Sequence, residues 1–194
     1  MRKVIISMVM SLDGFICGPD GELDWEVRDP ETNAFVVAEL LQTVDTMLLG
    51  RVLFEGFQMA WPAMGADPKS PKELVEFAHW IEDSPKIVFS KTLDKVGWKN
   101  TTLVEVKNND DIVNVVKKLK NEQGGDMVVF GGARFAQTLV ELGLVDEYRL
   151  KLQPIVLGKG LALFKDVKNR RNLKLIKSQA FKSGVVALYY QSAK

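Results

Sequence analysis

Short apolar runs that stop abruptly at glycine or serine, with helical spacing between them, limit this chain's fold more than any other feature. Val4 to Val9 reads as a first strand. Thr46 to Leu49, Lys86 to Phe89 and Met127 to Phe130 follow as brief runs closed by Gly50, Ser90 and Gly131. Strands this short and this continuously apolar suit the interior of a sheet covered on both faces. Amphipathic segments lie between them. Asn108 to Asp111 offers capping side chains and acidic charge ahead of an apolar stripe from Ile112 to Leu119; Lys117, Lys118 and Lys120 stand near its end and Gly124–Gly125 closes it. Pro30 to Gln42, Pro71 to Glu82 and Ala133 to Leu142 are predicted as further helices, with a short one after Gly50.

The last third changes character. Glu147 to Gln153 alternates apolar with polar residues, and after a turn at Pro154 to Gly160 two extended runs, Leu173 to Ser178 and Val185 to Gln191, have no helix between them. They are expected as antiparallel strands finishing the sheet. The reading is α/β: a three-layer fold with a central, mostly parallel sheet, antiparallel C-terminal strands and helices on both faces. Residues 1–194 show no repeat, linker or low-complexity segment and are expected as a single domain.

Composition excludes several function classes. Lys plus Arg number 26 against 25 for Asp plus Glu, so a net charge of +1 gives no bulk attraction to nucleic acid or to an anionic membrane. With one cysteine, Cys17, neither an intramolecular disulfide nor a Cys-rich zinc site can form. The apolar run after Met1–Arg2–Lys3 breaks at Ser7, too early for an export core. No stretch approaches the roughly 18 apolar residues of a membrane span. A cytoplasmic protein acting on a small molecule is expected.

Chemistry concentrates where strands end. In Val129–Phe130–Gly131–Gly132–Ala133–Arg134 a strand runs through two glycines into a helix. Glycines let backbone approach a ligand, and a helix N-terminus favours phosphate; equally, the pair can be a tight turn needing positive φ. Neither G-x-G-x-x-G nor a P-loop occurs. In Leu49–Gly50–Arg51 a cation opens a helix, where the dipole disfavours it, so Arg51 faces either an external anion or a nearby carboxylate. Ser90–Lys91–Thr92 places polar donors at a third strand end. In open α/β sheets ligands sit outside the carboxyl ends of the strands. The Ser11–Leu12–Asp13–Gly14–Phe15–Ile16 segment begins a long loop reaching Trp25, and Asp13 either closes a turn or serves catalysis. His79, without a partner motif, reads as structural or surface rather than catalytic. Trp61 to Gly65 reads as a flap or a packed corner.

Taken in order, the Ser11–Ile16 segment, Leu49–Gly50–Arg51 with Glu55, Val88–Phe89–Ser90 and Val129 to Arg134 resemble the dihydrofolate-reductase-like superfamily, most closely the reductase domain of the bifunctional riboflavin-biosynthesis deaminase/reductase, across Val4 to Gln191. The resemblance implies an NADPH-dependent reductase acting on a pterin-like, pyrimidine-like or ribosylaminopyrimidine substrate, or a catalytically silent NADP(H)-binding protein of the same fold. It implies cofactor contacts at Gly50, Arg51, Ser90, Lys91, Gly131, Gly132, Ala133 and Arg134. It puts substrate contacts at Trp25, Phe54, Leu157, Gly158 and Lys159, offers Asp13 as a proton donor, and suggests a homodimer. Two departures stand out. Asp29 and Glu31 lie near the place of the pterin-holding carboxylate but also suit helix capping, and no zinc-deaminase motif is present.

Overall fold

The computed structural model describes residues 1–165 and 167–193. In chain order the elements are β1 (Val4–Met10), β2 (Phe15–Cys17), α1 (Pro30–Leu41), β3 (Val44–Gly50), α2 (Arg51–Ala66), α3 (Lys72–Asp83), β4 (Lys86–Ser90), β5 (Thr101–Glu105), α4 (Asn109–Asn121), β6 (Asp126–Val129), α5 (Ala133–Glu141), β7 (Glu147–Leu152), β8 (Leu161–Ala162), β9 (Leu173–Ala180) and β10 (Val186–Ser192). Eight strands form one sheet in the order β5-β4-β3-β6-β1-β7-β10-β9, and β2 with β8 makes a small second sheet.

The pairings from β5 across to β7 are parallel, and β10 runs antiparallel to both β7 and β9. Apolar continuity explains the centre: Ile5, Ile6, Met47, Leu48, Leu49, Met127, Val128 and Val129 are fully buried because helices cover both faces there. One apolar cluster joins Ile6, Leu48 and Val129 to Val116 of α4 and Leu139 of α5. The other joins Ile5, Leu49 and Val128 to Leu40 of α1, Phe54 of α2 and Ile81 of α3. The sheet is the middle of three layers.

The helix after Gly50 is not short: α2 runs 16 residues with Pro62 inside it, so Trp61 to Gly65 is its last turns rather than a flap or a corner. Gly56, Pro62 and Gly65 all argue locally against a helix. Burial of aromatic side chains outweighs them. Phe57 meets Trp61 at 5.6 Å between ring centroids, Trp61 meets Phe77 of α3 at 5.3 Å, and Phe77 stacks on Trp80 at 5.6 Å. His79 is an exposed residue of α3 that packs beside Gly65, away from the strand ends.

The amino ends of the central strands are sealed by charge. Arg2, 8% exposed, pairs with Asp45, and its guanidinium donates to Gly125 O and Thr46 Oγ1. Gly125 N donates back to Asp45, and a Cβ on Gly125 would lie 2.6 Å from Thr43 O. Glycine is there because two backbones touch. Among the described residues, no helix is long and apolar enough to cross a membrane.

Candidate functional site

The opposite, carboxyl end of the sheet is open. Neighbouring strands β3 and β6 send their following helices to opposite faces, α2 to one and α5 to the other. Such a divergence leaves a crevice at the strand ends. Here it is a cavity of about 810 Å³ reaching from Ser90 on β4, past Gly50 and Gly131, to Met8 on β1 and the loop from Ile16 to Leu23.

Two helix N-termini face it without side-chain caps. Gly50 precedes α2 in extended conformation, and Gly132 precedes α5 with φ at 73°. Asp29 and Asn108 cap α1 and α4, while α3, which starts away from the cavity, also has no side-chain cap. The first N–H groups of a helix have no partner within it, so α2 and α5 turn unsatisfied donors and positive dipole ends toward one space. The glycines differ in purpose. A Cβ on Gly50 would come within 2.9 Å of Phe135 Cβ, so that glycine lets β3 end against α5. Gly132 needs its positive φ. At Gly131 a Cβ would make only ordinary contact with Leu53, 3.4 Å away, leaving no packing reason within the fold for its absence.

Charge follows the same geography. Arg51 forms an i,i+4 pair with Glu55 at 3.0 Å while also lining the cavity, so the carboxylate and the open space share it. Lys91 and Arg134 line the cavity, exposed and with no ion-pair partner among the described residues. Ser90 is 5% exposed; its Oγ accepts from Thr92 N at 3.1 Å and Leu93 N at 3.0 Å, which leaves its hydroxyl proton to donate. Gly50 and Arg51, Ser90 and Lys91, and the run Gly131 to Arg134 therefore stand around one hollow.

The residues expected on the substrate side do not join them. None of Asp13, Trp25, Phe54, Leu157, Gly158 or Lys159 lines the cavity. Phe54 is 3% exposed and packs 6.1 Å from Trp98 in the core; one turn further along α2 it is Phe57 that reaches the hollow. Trp25 lies on the loop, its indole donating to Glu22 O. Asp13 works as a fastener in this fold. It accepts from Ser11 Oγ at 2.6 Å, Gly158 N at 2.7 Å and Leu157 N at 3.1 Å, tying the loop after β1 to the turn after β7. Those donors, the Ser11 hydroxyl foremost, hold its carboxyl at about 2, so it carries no proton near neutrality. Leu157 and Gly158 spend their N–H groups there, and Lys159 is exposed beside them. Asp29 accepts from Glu31 N and from the Thr32 and Ser183 hydroxyls as the cap of α1, and those bonds hold its carboxyl below its ordinary value.

Sequence reasoning missed Phe57, Phe130, Cys17, Leu23 and Leu161, all of which line the cavity, as does Ile16 at the end of the Ser11–Ile16 segment. Phe130, directly before Gly131, carried a positional signal. The others are apolar residues whose exposure only the packing decides. Burial pushes the Cys17 thiol up, so it stays protonated near neutrality. Among the described residues no group of His, Cys, Asp and Glu could hold a metal ion.

Comparison with known proteins agrees with this architecture. The RibD C-terminal domain family matches residues 2–187. The chain is 39% identical over 189 residues to the uncharacterized protein YyaP of Bacillus subtilis (strain 168), covering 97% of this chain and 94% of that protein. A putative riboflavin biosynthesis protein from Shewanella sp. PV-4 superposes with a TM-score of 0.73 over all of both chains at 24% identity. Dihydrofolate reductase from Enterococcus faecalis, solved with NADP(H), superposes with a TM-score of 0.62 over 99% of this chain and 97% of the enzyme at 15% identity. These two likenesses show a shared dihydrofolate-reductase-like fold. By its sequence match across almost its whole length, the chain belongs to the RibD C-terminal domain family.

Proposed function

We propose that this protein is an NADPH-dependent reductase that transfers a hydride to a small heterocyclic acceptor, with residues 1–194 working as one domain. The observation that carries the reading is the meeting of two uncapped helix N-termini with Arg51, Lys91 and Arg134 around one crevice, a donor set suited to a dinucleotide bearing an extra phosphate. The missing Cβ of Gly131, which the protein's own packing does not require, fits the same group.

In this arrangement the amides opening α2 and α5 would hold the diphosphate, and Arg51, Ser90 and Arg134 the remaining phosphate, with Lys91 beside them. Bound NADPH supplies the hydride. The chain's part is to position the two reactants and exclude water, which needs no nucleophile or metal. Asp13 holds the loop from Ser11 in place by its bonds to the Leu157–Gly158 turn, and the proton that completes reduction comes from solvent.

The test is titration with NADPH and NADH, read by intrinsic fluorescence and thermal shift. NADPH is expected to bind at least ~tenfold tighter than NADH, and Arg51→Ala to remove most of that preference. Losing the exposed pair with Glu55 costs under about 0.5 kcal/mol, so the variant stays folded. No protection by millimolar NADPH overturns the proposal; tight binding with no oxidation under pterin, pyrimidine or quinone acceptors would leave a binding protein instead.

A homodimer and a cytoplasmic setting belong to the same proposal. On the face opposite α1, register aligns Leu152 with Val186 and Tyr190 with Leu175, and among the described residues no helix covers β10 and β9 there. Leu175 and Ile176 are 48% and 47% exposed, and Lys174 and Lys177 belong to the other face, so these two lysines do not stand between two copies of this surface.

A further inference from the structure

Resting on the reductase reading, we infer from the uneven charge of the cavity that the acceptor is an uncharged, largely apolar molecule carrying no phosphate group. Strand order maps the hollow. Lys91, Arg51 and Arg134 belong to the sector at the ends of β4, β3 and β6. Beyond that sector, at the end of β1, the lining becomes Ile16, Cys17, Pro19 and Leu23 from the loop, with Leu161 of β8 paired beside Cys17; Phe57 of α2 also lines the hollow, its ring 6.2 Å from that of Phe130. Asp20 is the only charged residue lining that end among the described residues, and it is an anion.

Two cations of the neighbouring elements are committed or displaced. Lys151, opposite Val9 of β1 in register, donates to Glu26 at 2.8 Å and Asn33 at 3.0 Å. Lys159 stands outside the lining, in a turn whose preceding N–H groups are fixed on Asp13. A phosphate placed among Ile16, Leu23 and Leu161 would lose its water with no cation among the residues that line that end, Asp20 being the charged one there. An apolar ring system gains from the same surroundings. The acceptor takes a hydride from NADPH and a proton from water, two electrons and two hydrogens in all, so a conjugated carbonyl or imine of low polarity meets both requirements.

The experiment uses the full chain saturated with NADP⁺, saturation being verified first by thermal shift. Calorimetric titrations then compare uridine with uridine 5′-monophosphate, and both with menadione and lumazine as uncharged probes. Menadione or lumazine is expected to bind at least ~tenfold tighter than the monophosphate, and the monophosphate no tighter than uridine. Phe57→Ala should weaken the favoured probe at least ~tenfold while NADP⁺ binding is kept. A monophosphate that binds ~tenfold tighter than uridine, with the gain lost in Lys159→Ala, overturns the inference; so does failure of both uncharged probes to bind. Failure of NADP⁺ itself to bind is a separate outcome and rejects the cofactor reading.

Discussion

At the residue scale, glycines with different neighbours separate binding from folding. Gly132→Val confounds the two, because φ at 73° strains any β-branched residue whatever the cavity holds. Gly131→Ala is cleaner, since its new methyl meets only Leu53 at ordinary distance. Stability should change by less than about 1 kcal/mol in urea unfolding, while NADPH affinity falls ~tenfold or more. Equal loss of both would make the glycine pair a turn and nothing else. Asp13 gives a pH prediction. Its carboxyl sits at about 2 against an ordinary 3.8, so the folded state favours the charged form. That contribution is complete above the ordinary value and is lost as pH falls from about 4 toward 2. Asp13→Asn should therefore flatten the acid limb of a stability–pH curve. Over about pH 6 to 9 it should leave the shape of the NADPH-oxidation profile unaltered. Loss of a titration step in that range would restore Asp13 as an acid.

At the element scale, local signals succeed where the helix start is self-contained. Asn108 accepts from Asp110 N at 2.8 Å while Asp111 accepts from Asn108 N at 3.0 Å, a reciprocal cap readable from Asn108–Asp111 alone. Asn108→Ala should cost about 1 kcal/mol and lower the Tm by roughly 2–4 °C, measured by calorimetry. An unchanged Tm would show that packing of Ile112 and Val116 alone sets where α4 begins. Local signals fail for α2, whose three breakers are overruled by aromatic contacts made with α3 and with Phe130 just after β6. They fail also for β5. Thr101 to Glu105 is a partly exposed edge strand, recognisable as a strand only by its pairing with β4. The two-residue β8 exists only because β2 lies beside it.

At the scale of the whole molecule, the sheet has a shut end and an open end, and an uncovered face on one flank. The proposed dimer predicts sedimentation at twice the chain mass. Leu175→Glu, which puts a charge on the exposed face without disturbing the buried centre, should convert it to monomer; a wild-type monomer at micromolar concentration would reject the assembly. By itself the sequence determined the α/β layering, the buried strands and the Gly, Ser and cationic residues at their carboxyl ends, since apolar runs and turn residues act over a few neighbours. Only the tertiary structure decided which aromatic of α2 reaches the hollow, why Gly50 and Gly131 differ, and that Asp13 is spent on the Leu157–Gly158 turn, more than 140 residues away along the chain. Those outcomes depend on which distant backbone lies within a few ångströms, and local sequence pattern does not encode that distance.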